Sequence, residues 1–593
     1  MKSPTETYSG LLAQFQNKLY QLNQHSGLLS LFRFLSIAIA FALTWFYFST
    51  DYVAFLIGAI LFLGIFIFMI RLHNKLSYER KIVKARIAIN EEELAYLNDR
   101  ELPFKDGKEF SDSKHFFTYD LDVFGHDSLY QHLNRTATYS GENTLAKRLS
   151  DLLPDEKIVE NQEAVEELRN KTEWRQNIYA IARNIDDSAE RNAHILEWAK
   201  RKDKGISKAM VFLSWILPAA LWFFIIYQIF AGFSFGITLI NVLIFTNIFI
   251  LFSYYKRIKN IFTESDNISK TLKGYALMLT EIENEKFDSS EMMRLQNTLK
   301  NSKTASNEIA RLSNLFGQLE QVLNLLGALI SNGFFLYHIR VLNHIYKWKE
   351  KNAGQIETWL KTIGEAETLN SLANFAFNNP EYGFPKINND QIIEFKEAGH
   401  PLISRKVRID NDISFREHPF VVLTGSNMSG KSTFLRTLGI NMVLARAGSV
   451  VCAKDASLHP LPILVSMRVE DSLTDNESYF FAEVNRLHRI SQEVQKGKCF
   501  VLLDEILRGT NSDDKRKGTK EFIKALMKSD IIGVIATHDL DICTLQKDYS
   551  DKIINKYFEV DIVDNELAFD YKIRDGICQN QSATFLMKKK GII

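Results

Sequence analysis

The stretch Thr424–Thr433, TGSNMSGKST, has the residue types and spacing to grip a phosphate chain. An apolar run, Val421–Leu423, reads as a buried strand that enters Gly425-x4-Gly430-Lys431-Ser432. Glycines let backbone N–H groups curl around phosphates, and the helix that follows aims its positive end at them. Lys431 would bridge the β- and γ-phosphates, and the Ser432 hydroxyl would ligate Mg²⁺. CFVLLDE, Cys499–Glu505, is a second apolar strand, ending in two acids. Asp504 would sit near the Mg²⁺ shell, and Glu505 would polarise the attacking water. VIATHDL closes a further strand at His538, a γ-phosphate sensor or water-orienting group. Between them lies DSLTDNESYFFAEVNRL, a polar loop with a helix starting near Ser478. Its N–H groups would reach a phosphate on a neighbouring subunit.

The elements that must position these residues are legible from texture. NNPEYGFPKI, Asn378–Ile387, marks a boundary with two prolines and a glycine. Beyond it, short β-branched runs alternate with helices, the pattern of an α/β nucleotide-binding domain. Before it the chain reads as helical. Residues 72–100 form a charged helix ending before Pro103, and 121–168 carry helical spacing with breaks at Gly141 and Pro154. Residues 256–380 are helical, with Leu312, Leu315, Leu319, Val322, Leu325 and Leu326 on one stripe. Val322–Leu336 is strongly apolar but too short for a bilayer crossing, so it reads as a buried core helix.

Two apolar blocks stand out upstream. Ala209–Tyr255 contains no Asp, Glu, Lys or Arg, enough for two crossings of about 20 residues each. The break falls at AGFSFG, Ala231–Gly236. Phe34–Thr50 and Tyr52–Ile70 repeat the design around Asp51, which belongs in the turn, with Trp45, Tyr47 and Tyr52 as an interfacial aromatic belt. Basic residues flank both hairpins (Arg71, Lys75, Arg80, Lys81 and Lys84; Arg201, Lys202, Lys204 and Lys208; Lys256, Arg257 and Lys259), and the turns carry none. The positive-inside rule therefore puts both termini and the ATP-binding part in the cytoplasm, with the chain anchored in the inner (plasma) membrane by four helices.

Length and composition agree. At 593 residues the chain holds several domains, and its 72 Lys plus Arg nearly cancel 71 Asp plus Glu, so no global basic field advertises nucleic acid. The four cysteines, Cys452, Cys499, Cys543 and Cys578, form no CxxC pair and read as buried core residues rather than a zinc ribbon or disulfide framework.

The motifs together resemble the MutS family of DNA mismatch-repair ATPases, of the ABC ATPase class. GHPLI (Gly399–Ile403), TGSNMSGKSTFLR, SYFFAEV, LLDEILRGTNSDD, ATHDL and the tail YKIRDGICQNQSATFLM occur in the family's order. The helical part resembles the family's core and lever at LDVFGHDSLYQHLNRTATYSG and NQEAVEEL. The resemblance implies ATP and Mg²⁺ as cofactors. It assigns Gly425, Ser426, Asn427, Met428, Ser429, Gly430, Lys431, Ser432 and Thr433 to the phosphates, Ser432 and Asp504 to the metal, and Glu505, His538 and Lys431 to catalysis. Glu505 is the general base and His538 the switch histidine. Ser478 resembles the serine that reaches the nucleotide of the opposite subunit, which implies a homodimer with composite sites. His400 and Pro401 would start the ATPase domain, and Tyr571 occupies a base-stacking position.

The departures bear on function. The family's GPNMGGKS reads GSNMSGKS here, which keeps the backbone N–H groups. The mismatch-reading domain, clamp insertion and helix-turn-helix extension have no counterpart. FKE (Phe395–Glu397) and FRE (Phe415–Glu417) mimic the base-wedging Phe-x-Glu but adjoin ATPase strands. The expected fold is multidomain α and α/β. It runs as a cytoplasmic segment 1–27, transmembrane hairpin 28–71, helical linker 72–114, MutS-like core 115–207, second hairpin 208–255, core and lever 256–385, and an ABC-type P-loop ATPase domain 386–593. The expected function is a membrane-anchored ATPase coupled to DNA binding but not to mismatch reading. The alternative is an ATP-driven switch or scaffold acting on a protein or membrane partner. A transporter ranks third, since the spans lack the intramembrane charge of an ion path.

Overall fold

The computed structural model describes residues 3–98, 102–151, 153–231, 236–262, 268–300, 304–426, 428–468, 479–508, 510–563 and 566–578. Helices dominate as far as residue 378, and strands then alternate with helices, so the chain is α followed by α/β.

The first two helices, Pro4–Thr50 and Val53–Leu97, pack along each other as an antiparallel hairpin. Asp51 is left-handed at φ 53° and caps the first by donating its N–H to Tyr47 O, so the acid sits in the turn as its cost in lipid requires. Neither helix stops where its apolar stretch ends. The first starts at a capping box between Ser3 and Glu6, and the second runs on through the charged stretch to Leu97. At 1.5 Å per residue each is about 70 Å long, far more than a bilayer needs. Away from the turn they pair through Phe15, Leu22 and Val83.

Lys208–Ala231 and Gly236–Phe262 are the second pair of long apolar helices. All four are long and apolar enough to cross a membrane. The AGFSFG turn lies almost wholly outside the described residues.

Between and after the hairpins stands the helical body. Leu129–Leu133, Tyr139–Ser150 and Asp155–Arg169 occupy the stretch read as helical. Pro154 breaks it as expected, but Gly141 does not. It sits in the first turn of Tyr139–Ser150, where a Cβ would collide with the Glu367 carboxyl. The spine is Tyr337–Asn378, 42 residues long, whose face from Ile363 to Ala376 is almost wholly buried. Leu312, Leu315, Leu319 and Val322 are buried as the stripe predicts. Val322–Leu336 is not one core helix. Its helical part, Leu325–Phe335, packs mainly against Gly236–Phe262 of the second hairpin and leaves Ile330 and Phe335 exposed.

The α/β part holds two main sheets. β1 (Lys386–Ile387), β2 (Ile393–Ala398), β3 (Asn411–Ser414) and β5 (Asp455–Leu458) form the smaller, in the order β1-β5-β2-β3. The larger contains β4 (Phe420–Thr424), β6 (Ile463–Ser466), β7 (Cys499–Asp504), β8 (Ile531–Ala536), β9 (Ile553–Phe558) and β12 (Ile573–Asp575), in the order β12-β9-β4-β8-β7-β6. Only β12 runs antiparallel; β10 (Asp561–Val563) and β11 (Glu566–Ala568) pair separately. β4, β7 and β8 are buried throughout, which explains why they read as unbroken apolar runs. Phe395 and Phe415 are buried, so neither Phe-x-Glu copy can wedge between bases. The four cysteines are buried and form no disulfide among the described residues.

Candidate active site

Register gathers the candidate residues. Leu423 of β4 and Asp504 of β7 both stand opposite Ala536 of β8, so three parallel strands end level. Open α/β sheets place their ligands at this carboxyl edge. The glycine-rich loop leaves β4, Glu505 leaves β7 and His538 leaves β8 at one place.

The loop turns on left-handed residues. Gly425 (φ 154°), Met428 (φ 67°) and Gly430 (φ 101°) bend it into the helix Lys431–Arg446. Gly430 also lets the Tyr571 ring approach to 3.0 Å of where a Cβ would stand. Ser429 is buried, and its Oγ has no hydrogen-bond partner among the described residues. The Ser426 carbonyl accepts from Lys431 within the site, and Thr433 lines the adjacent cavity. Asn427 and Ser478 lie outside the described residues.

Lys431 is buried at the centre. Its Nζ donates to Gly425 O at 3.0 Å and Ser426 O at 2.9 Å, and lies 3.5 Å from His538 Nε2. Burial lowers its ammonium below the usual lysine range, with Glu505 and Asp504 opposing that shift. Ser432 Oγ donates to Asp504 Oδ2 at 2.6 Å. His538 Nε2 stands 2.5 Å from Glu505 Oε1. That hydrogen bond holds the Glu505 carboxyl down at about 2 against the opposing effect of burial. Glu505 is therefore ionised near neutrality and a weak base while His538 holds it.

Two supporting residues were not legible as such. Glu505 and Leu507 are left-handed, at φ 48° and 61°, a strained turn for side chains of this size. Buried Glu483, on the helix Tyr479–Val494, pins that turn by accepting the Leu507 N–H at 2.7 Å. Its signal was an acid inside the otherwise apolar YFFAEV face. Arg508 binds back to Glu505 O at 3.0 Å and Asp504 O at 3.2 Å.

A cavity of about 430 Å³ opens beside the loop, lined by Met428 to Phe434, Glu505 and Tyr571. Its far wall brings His400, Arg408, Ile409 and Asn411 from the turns around β2 and β3. Tyr571 is left-handed (φ 53°) and its carbonyl accepts from Asn411 Nδ2 at 2.9 Å, which fixes the ring at the rim.

The residues present fit a nucleoside triphosphate with Mg²⁺. The positive-φ loop, the Ser429 hydroxyl left without a partner among the described residues, and a hard-oxygen pair at Ser432 and Asp504 all suit that group. No cluster of three or more His, Cys, Asp or Glu among the described residues offers a protein-only metal cage. Mg²⁺ with phosphate needs none, because it is held by one or two protein oxygens, water and the substrate itself.

Comparison with known proteins locates this region. The family model for MutS domain V matches residues 421–590. The DNA mismatch repair protein MutS of Thermotoga petrophila is 32% identical over 241 residues, which is 40% of this chain and 30% of that protein. MutS of Halothermothrix orenii is 30% identical over 234 residues (38% and 26%), and that of Methanosarcina mazei 28% over 261 (42% and 29%). The matched region thus spans about 30% of the length of these relatives. This carboxy-terminal region, residues 421–590, is a MutS-family domain V.

Proposed function

We propose that the protein is a membrane-anchored, Mg²⁺-dependent ATPase whose sites are completed in a homodimer, and whose nucleotide cycle is coupled to DNA binding. The observation that carries this reading is the convergence of Lys431, Ser432, Asp504, Glu505 and His538 at one sheet edge beside the 430 Å³ cavity.

The roles follow from chemistry. Lys431 exchanges its two loop carbonyls for β- and γ-phosphate oxygens. Ser432 and Asp504 hold the metal, and bound Mg²⁺ supplies neutralisation of the phosphate charge. Glu505, ionised and fixed by His538, orients and polarises the attacking water. Release of His538 from Glu505 would raise that carboxylate's basicity, so the pair is suited to act as a switch. Tyr571 and Ile409 offer an apolar wall for a base. Ser478 belongs to the site of the opposite subunit in this reading, and the four apolar helices hold the dimer in the bilayer.

DNA as partner rests on family membership alone. A second reading, an ATP-driven switch acting on a membrane or protein partner, is favoured by one observation. Glu93 on the first hairpin is tied by buried hydrogen bonds to Asn374 and Asn378, at the end of the spine that leads into the ATPase region. ATP turnover by the full chain in nanodiscs, with and without duplex, mismatched and branched DNA, separates the two. Stimulation by DNA supports the first, and turnover indifferent to every DNA supports the second. Release of the protein by alkaline carbonate would remove the membrane anchor from both.

A further inference from the structure

The short helix Leu325–Phe335 is too short for a span, and although Ala328 joins the main core, Ile330 and Phe335 stand exposed. Its seat is the middle of the second hairpin. Asn247 Nδ2 donates to Gly333 O at 2.8 Å, and a Cβ on Gly333 would lie 3.6 Å from Ile244 and 3.8 Å from Ile248. Phe334 and Phe335 meet Trp222 with ring centroids 6.1 and 5.7 Å apart. Asn247 stands about 15 Å along its helix from Arg257, at 1.5 Å per residue, which is about half of a ~30 Å hydrocarbon core. The chain then reverses at left-handed Leu336 (φ 46°) and leaves as the spine Tyr337–Asn378. Arg340 lies over Trp215 at 4.4 Å, nearer the charged end.

Several polar groups at this depth are served within the protein, as a low-dielectric medium favours, although Asn247 Oδ1, His338 Nε2 and Arg340 Nε are buried without a hydrogen-bond partner among the described residues. Asn332 Nδ2 donates to Ala328 O at 2.7 Å and meets His338 Nδ1 at 2.6 Å, while its Oδ1 accepts the His338 N–H at 3.0 Å. Arg340 donates to the Phe335 carbonyl at 2.8 Å, serving one of the helix's last C=O groups. The outward face is the reverse. Ile330 is 60% and Phe335 42% exposed, level with exposed Phe223 and Phe245 of the hairpin.

We infer that Leu325–Phe335, with the turn at Leu336, is a re-entrant element buried in the cytoplasmic leaflet, its Ile330 and Phe335 face against lipid acyl chains. The inference rests on the membrane reading above. It makes the upper end of the spine a lipid-embedded elbow, so the helix leading from the ATPase region ends inside the bilayer rather than at its surface.

The test is collision EPR on nitroxide-labelled Ile330→Cys, Phe335→Cys, Phe223→Cys and Lys351→Cys variants of the full chain in nanodiscs. The wild-type chain, with its buried cysteines, sets the labelling background. The oxygen-to-nickel-chelate collision ratio at 330 and 335 should match that at 223 and exceed that at exposed 351 severalfold. Nickel access at 330 and 335 with exclusion at 223 would overturn the insertion alone, whereas nickel access at all four would overturn the membrane reading itself. Shielding of 330 and 335 from both reagents would mean that protein, not lipid, covers the face, and would also overturn the inference.

Discussion

At the scale of residues, charge placement decides what each group does. Among the described residues Lys431 has no carboxylate in salt-bridge contact and instead holds two loop carbonyls, an arrangement that phosphate oxygens would displace at little cost. Lys431→Ala should raise the Kd for a fluorescent ATP analogue at least about tenfold, the loss of one charge-assisted contact; unchanged affinity would remove Lys431 from the grip. Away from the site, Glu367 is wholly buried with no cation against it among the described residues, and burial pushes its carboxyl up to about 8 although Ala137 N, Thr138 N and Thr138 Oγ1 all donate to it. Because the folded protein then keeps a proton that the unfolded chain releases near 4.5, stability falls as pH rises from about 4.5 to about 8, by at most about 1.4 kcal/mol per pH unit, and is flat above. In thermal melts from pH 5 to pH 8, Glu367→Gln should flatten that decline; an identical slope in the variant would show that Glu367 is ionised. That the glycine-rich loop and the two acids meet was legible because each is a local pattern, a few residues at fixed spacing on one strand end. Glu483 and Arg508 were not, because their partners are set by the turn at Glu505 to Leu507, which no spacing rule describes.

At the scale of elements, what joins the pieces is buried polar contact over long sequence separations. Glu93 accepts from Arg135 Nε at 2.6 Å, Asn374 at 2.9 Å and Asn378 at 2.8 Å, while Tyr8 donates to Asn378 Oδ1 at 2.8 Å. Both helices of the first hairpin, the 128–138 segment and the end of the spine thus meet at one buried carboxylate. Glu93→Ala leaves the buried Arg135 guanidinium unpaired and should cost about 3–5 kcal/mol. The readout is the melting temperature in detergent, and a shift within error would mean that water reaches Arg135. Asp120 plays a similar part on the other side, accepting from Met467 N and Arg468 N at 2.8 Å each and from Arg486 at 2.9 Å. Asp120→Ala should cost about 1–3 kcal/mol and expose the 115–123 segment to protease. The four apolar helices, the spine's helical character and the parallel strands could be read from periodicity and charge. The continuation of the first hairpin past its apolar stretch could not, since helical charged sequence reads alike free or docked. Gly141 misled for a related reason: it marks a close approach by Glu367, not a break.

At the scale of the whole molecule, a MutS-family carboxy-terminal region stands on a helical body pierced by two apolar hairpins. The sequence carried this outline because each part has its own signature. It did not carry the seat of Leu325–Phe335, which depends on a tertiary contact with Asn247. The dimeric side of the account turns on Ser478: Ser478→Ala should slow turnover without weakening the first ATP bound, and unaltered turnover would argue for self-contained sites. The proposed role of Glu505 is decided by Mg²⁺-dependent ATP hydrolysis of the full chain in nanodiscs, wild type against Glu505→Gln, with bound ATP measured alongside. The variant should retain ATP and turn it over at least about 100-fold more slowly, the usual weight of a positioned base or water-orienting group. Turnover equal to wild type would contradict that role.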